Sequence, residues 1–314
     1  MLSLIEMSEK GSMVRGFVVL SRLPFLLPGL AALTTGIGIA VVEDHDIDGG
    51  FAGLSILGLS LIMLATYYFN EYFDYEGDVI NRRFIKFSGG SRALPDDLVP
   101  RKVARIAGWG AVSILVLIAL IYLVFYFDDY PWLLPMALFG AFCGIFYSHP
   151  PFQWAYRGIG EILIGACYGV LAVVSGYYVA TGELDSRMIL VGLPASISIF
   201  CVIVVNEIPD FDADKAVNKN NLVVRLGLKK ASVMYAVAML LIYPAMLATI
   251  LVYPQPNVIF VGVPVLIFTV VAAVETFKGR YLERKHQTNL SGMTLLVNLL
   301  SSLLFILVFL KLEA

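Results

Sequence analysis

The chain has 314 residues, of which 59% are hydrophobic and 15% charged, with a formal net charge of −2. A soluble domain averages about 25% charged residues, so this composition and a mean hydropathy of +0.83 exclude a soluble globular protein. The near-zero net charge averages a basic set of loops and an acidic one, and on its own points to no partner.

A bilayer core takes about 20 apolar residues per helix. Nine runs fit, at approximately 24–42, 51–70, 105–126, 132–148, 159–181, 189–208, 231–253, 258–276 and 293–311. Alternating strands of the barrel type are absent, so helices are the spanning element. The first run follows Lys10, Arg15 and Arg22 and lacks a small-residue cleavage site, so no cleavable signal peptide is expected. Arg22 suits either a phosphate contact or a positive-inside anchor.

The second run ends in Asn70, Glu71, Asp74 and Asp78, spaced N-E-x-x-D-x-x-x-D, and the sixth ends in Asn206, Glu207, Asp210 and Asp214 with the same spacing. Acidic groups at a membrane helix end are costly, and their default reading is functional. Along a continuous helix, residues at i, i+4 and i+8 share one stripe, drifting about 40° per step. Asn70, Asp74 and Asp78 then face one way, as do Asn206, Asp210 and Asp214, although Pro209 kinks or breaks the second stripe. Facing carboxylates repel unless cations lie between them. Two or more Mg²⁺ ions bridging them to a substrate diphosphate would satisfy that charge. Solvated carboxylates at helix ends are the plainer alternative.

The polar segment after the first motif contains IKFSGGSRAL, with Lys86, a Gly-Gly pair and Arg92. A glycine loop can present backbone N–H groups to an anion while Arg and Lys neutralise it. The fourth run closes on Tyr147 and Ser148, and Pro150 and Pro151 stop the helix before Arg157 and Glu161. Tyr147 suits either a ring that faces a developing cation or an interfacial anchor. His149 is read as structural, and His45 and His286 as solvated loop residues. After the second motif, Lys215, Lys219 and Arg225 serve either substrate or topology. Cys143, Cys167 and Cys201 lack metal-ligand spacing and are read as small buried residues without disulfides.

With nine spans, the N-terminus and the loops after even-numbered spans share one side, and all of the 22 Lys and Arg except Arg187 and Lys311 fall there. The positive-inside rule makes that side cytoplasmic and puts the C-terminus outside. The two acidic motifs lie four spans apart, hence in the same orientation. This gives an all-α polytopic membrane protein: a single transmembrane domain over residues 1–314, with nine transmembrane helices around a central cavity. It is expected to consist of two parallel four-helix repeats, about 22–150 and 157–278, plus a final helix at about 293–311.

The paired motifs at these positions resemble the UbiA family of intramembrane prenyltransferases, whose Asp-rich motifs follow the second and sixth of nine helices. The first motif has Glu71 where the family usually has Asp. SGGSR (Ser88–Arg92) and AYRGIGE (Ala155–Glu161) resemble the menaquinone-type branch, and NNLVVRLG (Asn220–Gly227) is similar to a family pattern with Thr at the position of Asn221.

The resemblance implies Mg²⁺ held by Asn70, Asp74, Asp78, Asp210 and Asp214 and an isoprenyl diphosphate contacted by Arg22, Asn70, Lys86, Arg92, Ser148, Asn206 and Lys215. It also implies ionisation to an allylic cation near Tyr147 and attack by an aromatic acceptor such as 1,4-dihydroxy-2-naphthoate. A 4-hydroxybenzoate or a glycerol-phosphate ether lipid precursor is the alternative acceptor. Membrane lipids are expected partners and nucleic acid is not. An ion-coupled secondary transporter is the alternative from another class, but the carboxylates cluster at helix ends rather than at the midplane.

Overall fold

The computed structural model describes residues 13–254, 259–260 and 262–309, and among the described residues it is all helical, without a strand. Among the described residues, each apolar run falls at least in large part on a helix. α1 spans Leu27–Val42, preceded by the 3₁₀ turn Leu23–Leu26 with a proline in its first positions, a placement that proline tolerates because it lacks the N–H a helix start leaves unpaired. α2 spans Gly49–Phe73 and is capped by Asp48, whose carboxylate accepts from the N–H groups of Gly50 and Phe51. The short α3, Tyr75–Ile80, follows. Then come α4 at Arg101–Phe125, α5 at Leu133–Ile145 and α6 at Gly160–Thr181. α6 widens into a π turn at Cys167–Leu171 and stops at Gly182, whose φ of 73° is the usual left-handed helix stop.

α7 covers Arg187–Glu207, and two short helices follow, α8 at Phe211–Ala216 and α9 at Leu222–Leu226. α10 at Leu228–Ala248, α11 at Val263–Phe277 and α12 at Arg284–Phe309 come last among the described residues. Among the described residues, six helical segments are long and apolar enough to cross a membrane. The runs at 132–148 and 258–276 give helices of only 13 and 15 residues. In the first, the chain turns at Phe146–Ser148 before the prolines, so the apolar run outlasts its helix.

Without a hydrophobic driving force between helices in lipid, close backbone approach and polar contacts hold such bundles together. α1 and α6 cross on two glycines. A Cβ on Gly36 would lie 2.1 Å from the Val173 carbonyl oxygen, and one on Gly176 would lie 2.0 Å from that of Leu33. α6 meets α7 in the same way at Gly169, against Ser196. α12 is fastened by a buried polar seam: Asn298 donates to Ser198 (2.9 Å), Thr35 donates to the Ser302 carbonyl (3.0 Å), and Tyr235 pairs with Thr294 (2.6 Å). The main core lies among α1, α6, α7, α10 and α12, around Val173, Val204, Met239 and Val297.

On the other side, α1, α2, α4, α5 and α6 stand apart around an apolar chamber lined by residues such as Leu33, Met63, Ile118, Leu134, Tyr168 and Leu171. It follows α2 from Phe51 to Thr66, a length of about 22 Å at the helical rise. Thr66 is one helical turn from Asn70, so the chamber ends at the first acidic motif.

The glycine crossing is testable. Gly36→Ala and Gly176→Ala should each cost about 1–3 kcal/mol, the usual price of overpacking, and lower the thermal midpoint in detergent. Gly110→Ala, whose new methyl meets nothing within 4 Å, should leave it unchanged or slightly raised. Equal midpoints for all three would remove the crossing as a stability determinant.

Candidate active site

Both acidic motifs run through a helix break. α2 ends at Phe73 and Asp74 adopts φ −84°, ψ −1°; α7 ends at Glu207 and Asp210 adopts φ −88°, ψ −4°. A six-residue helix follows in each case. The straight stripe read from spacing is therefore broken twice, at Asp74 as well as near Pro209. The two breaks lead into α3 and α8, which touch each other; a Cβ on Gly77 would meet Val217 at 3.3 Å.

Each motif is held by residues from elsewhere in the chain. Asp210 accepts from Asn81 Nδ2 (2.7 Å) and from the Gly89 N–H (3.0 Å), both in the segment after the first motif. In the opposite direction, Lys219, after the second motif, places its Nζ 2.7 Å from Asp74 and 3.7 Å from Asp214. Tyr156 donates to the other oxygen of Asp74 (2.9 Å), and Asn221 donates to Asp214 (2.7 Å). Asn70 accepts from Ser148 Oγ (2.7 Å). Glu71 receives the Ser91 N–H and hydroxyl at 2.6 and 2.7 Å, with Arg22 at 3.5 Å. Its counterpart Glu207 is treated differently: Glu207 Oε2, Asn206 Oδ1 and Glu161 Oε2 are buried without a hydrogen-bond partner.

The glycine loop sits over this cluster. Gly89, Gly90 and Arg92 all have φ between 65° and 71°, and a Cβ on Gly90 would lie 2.3 Å from Asp78 Oδ2. Its N–H groups at Gly89 and Ser91 reach the protein's own carboxylates rather than an open anion site. Arg92 binds the Asp78 carbonyl (2.5 Å) and stacks on Phe84. Arg22, Lys86 and Arg92 line one pocket beside the cluster, joined by Arg284 from the start of α12. Tyr147 packs against Ile164, Ile199 and Val202. Lys215 is exposed on α8, and Lys219, four residues on, is the lysine that enters the cluster.

Asn81, Tyr156, Asn221 and Arg284 escaped the sequence reading. Asn81 left a trace, an Asn shortly after the last Asp of each motif. Tyr156 and Asn221 lie within the phrases AYRGIGE and NNLVVRLG, where spacing assigns them no role, and Arg284 left no trace.

Burial pushes the Asp78 and Asp210 carboxyls above the usual range, and neighbouring carboxylates add to the effect at Asp78. Burial likewise pushes Asp214 up to about 7, although Lys219 opposes the shift. Burial works against the charged form of Lys219, but Asp214 and Asp74 outweigh it and hold the ammonium well above its ordinary value.

Residues 31–308 match the family model of the UbiA prenyltransferase family. The chain belongs to that family. It is 24% identical over 206 residues to a 1,4-dihydroxy-2-naphthoate octaprenyltransferase of Bacillus subtilis (strain 168), covering 65% of this chain and 64% of that one. It is 28% identical over 162 residues to a chloroplastic 2-carboxy-1,4-naphthoquinone phytyltransferase of Arabidopsis thaliana, covering 47% and 39%. The chain thus spans less than two thirds of the length of these curated relatives. In fold it is similar to a UbiA homologue from Archaeoglobus fulgidus solved bound to GPP and Mg²⁺, with a TM-score of 0.62 at 14% identity, covering 92% of this chain and 99% of that one.

The donor set in this UbiA-family chain fits a hard divalent cation. It offers carboxylate and amide oxygens only, orphaned buried oxygens of Asn206 and Glu207 belong to the second motif, and an ammonium already bridges Asp74 and Asp214. Among the described residues no three acidic, His or Cys side chains close a metal cage by themselves. Mg²⁺ typically fills such a gap with substrate phosphate and water.

The raised carboxyl pKa values set a pH dependence. A carboxyl that holds its proton more tightly folded than unfolded stabilises the fold below its unfolded pKa, and that contribution is lost as pH rises through the folded value. For Asp214 the window runs from about 4 to about 7. The chelator-treated protein should therefore melt at a lower temperature at pH 8 than at pH 5.5, and Mg²⁺ should recover more of the loss at pH 8, since metal binding needs deprotonated ligands. A melting temperature that rises over this interval in chelator would contradict the assignment.

Proposed function

We propose that this chain is a Mg²⁺-dependent intramembrane prenyltransferase that moves an isoprenyl group from its diphosphate to an aromatic acceptor of the 1,4-dihydroxy-2-naphthoate class. The observation that carries the proposal is the meeting of two acidic motifs, linked through Lys219, at the end of an apolar chamber. A polar head and a long apolar tail on one substrate match that juxtaposition. The names of the curated relatives favour the naphthoate acceptor.

Asn70, Asp74, Asp78, Asp210 and Asp214 would hold Mg²⁺, which when bound supplies charge neutralisation for the departing diphosphate. Arg22, Lys86 and Arg92, which line one pocket beside the motifs, bind phosphate oxygens, and Arg284 adds a fourth positive charge. Ser148 and Asn206 orient the head group, with Ser148 acting through Asn70. Lys219 takes the substrate role that Lys215 is too exposed to fill. Charge fixed in place before the reaction stabilises the leaving group without reorganisation. The carbon–oxygen bond at C1 breaks, leaving an allylic cation on the isoprenyl chain and the electron pair on the diphosphate.

The apolar walls keep water from that cation, and the Tyr147 ring, held against Ile164 and Val202, faces it. The ring carbon of the acceptor then forms the new bond, and that carbon sheds its own substituent, a proton or the carboxyl group as CO₂, to restore the aromatic ring. The motif side and the N-terminus lie in the cytoplasm, because the basic loops gather there. The chain works as one transmembrane domain of two parallel repeats and a final helix, whose matched breaks at Asp74 and Asp210 support the repeat reading.

Purified protein in detergent with Mg²⁺ and geranylgeranyl diphosphate, given 1,4-dihydroxy-2-naphthoate, 4-hydroxybenzoate or geranylgeranylglyceryl phosphate in turn, should yield a prenylated product by mass spectrometry with the first only. Asp74→Asn and Asp210→Asn should each lower turnover about 10²–10³-fold, the usual effect of removing one preorganised charge-stabilising group, with the fold retained. Product with another acceptor would move the substrate class. A variant at near-wild-type rate would take that aspartate out of the site.

A further inference from the structure

We propose that Lys219 is a built-in counter-cation of the metal-free site, and that its ammonium competes with the incoming metal for Asp74 and Asp214. The inference rests on the metal-dependent reading above and assigns this lysine a role within it.

Lys219 is placed with care by its backbone. Its N–H donates to the Asp214 carbonyl (2.8 Å), and Asn218 before it takes the left-handed conformation (φ 57°) that reverses the chain after α8. The side chain then returns over the cluster and is only 15% exposed. Its ammonium touches Asp74 from the first motif and Asp214 from the second, and the Tyr156 ring lies 5.8 Å from it. It is the one lysine or arginine among the described residues seen to ion-pair with acidic residues of both motifs. Buried carboxylates this close repel strongly unless a cation lies among them, and an unpaired buried charge is expensive. Without metal, a single positive charge on a flexible stem meets that need.

A divalent ion brings twice the charge and prefers the same oxygens. A divalent ion on Asp74 Oδ2 and an ammonium 2.7 Å from the same oxygen repel each other, so metal entry pushes the ammonium aside, and it is then free to meet phosphate oxygens. The lysine therefore weakens metal binding in the absence of substrate while keeping the two motifs together. Binding of metal and of diphosphate become coupled through one side chain.

The test uses Mn²⁺ as the probe, counted by electron paramagnetic resonance on purified protein without substrate. Lys219→Met should bind Mn²⁺ about tenfold tighter than wild type, and its chelator-treated form should melt several degrees lower, with saturating Mn²⁺ closing the gap. Lys219→Arg, which keeps the charge, should stay near wild type in affinity. Unchanged or weaker Mn²⁺ binding by Lys219→Met overturns the competition, whereas failure of wild type itself to bind Mn²⁺ overturns the metal-dependent reading instead. If Lys219→Met does not fold, wild type alone decides. Amine acetylation at Lys219, read by peptide mass spectrometry, should be slow in chelator and at least severalfold faster with Mn²⁺; equal labelling in both conditions overturns the proposal.

Discussion

Mutual repulsion of carboxylates is the constraint around which this end of the molecule is organised. Asp74, Asp78, Asp210, Asp214, Glu71 and Glu207 gather where the bundle meets its polar loops, and Glu71, Asp74, Asp214 and Glu207 are among the buried residues. Such a group could not persist in hydrocarbon or against bare neighbours. The loops compensate it with directed donors: Ser91 and Arg22 on Glu71, Asn81 and Gly89 on Asp210, Asn221 on Asp214, Tyr156 and Lys219 on Asp74. The left-handed residues of the glycine loop follow from the same demand, since Gly90 passes so near Asp78 that no side chain fits there.

Compensation is unequal between the two motifs. Glu71 is fully engaged, while Glu207 and the neighbouring Asn206 keep oxygens with no donor. The equivalent aspartates have nearly the same backbone geometry at their helix breaks, so the difference lies in side chains supplied from outside. Where Arg22, just ahead of the 3₁₀ turn, pairs with Glu71, the first turn of α6 brings Glu161, itself left with an unpaired oxygen, beside Glu207. One motif is closed and the other is open to a further electropositive partner.

The sequence disclosed the parts that depend on composition or on local spacing. Apolar runs mark helices whatever their packing, and the two acidic motifs announce themselves because charge is so rare in this chain. The break at Asp74 was not legible, for no proline or glycine marks it; the turn is imposed by the contacts of α3 with α8. Lys215 and Lys219 look alike as sequence, and only the left-handed turn at Asn218 decides which one enters the cluster. The contact of Asn81 with Asp210 spans 129 residues, that of Lys219 with Asp74 spans 145, and that of Arg284 with the Phe84 carbonyl spans 200. Pairings at that range carry no periodic signature.

The two motifs exchange their supports crosswise, the segment behind the first serving Asp210 and the segment behind the second serving Asp74. A nascent chain that has been made only as far as α5 therefore carries a half-built site, with Asp74 still lacking both Tyr156 and Lys219. Until those residues emerge, that carboxylate must wait in water at the membrane face. An acidic motif at the end of a helix can wait there; one at mid-bilayer could not. A site at the helix ends is thus suited to the order in which the chain is made as well as to the chemistry it performs.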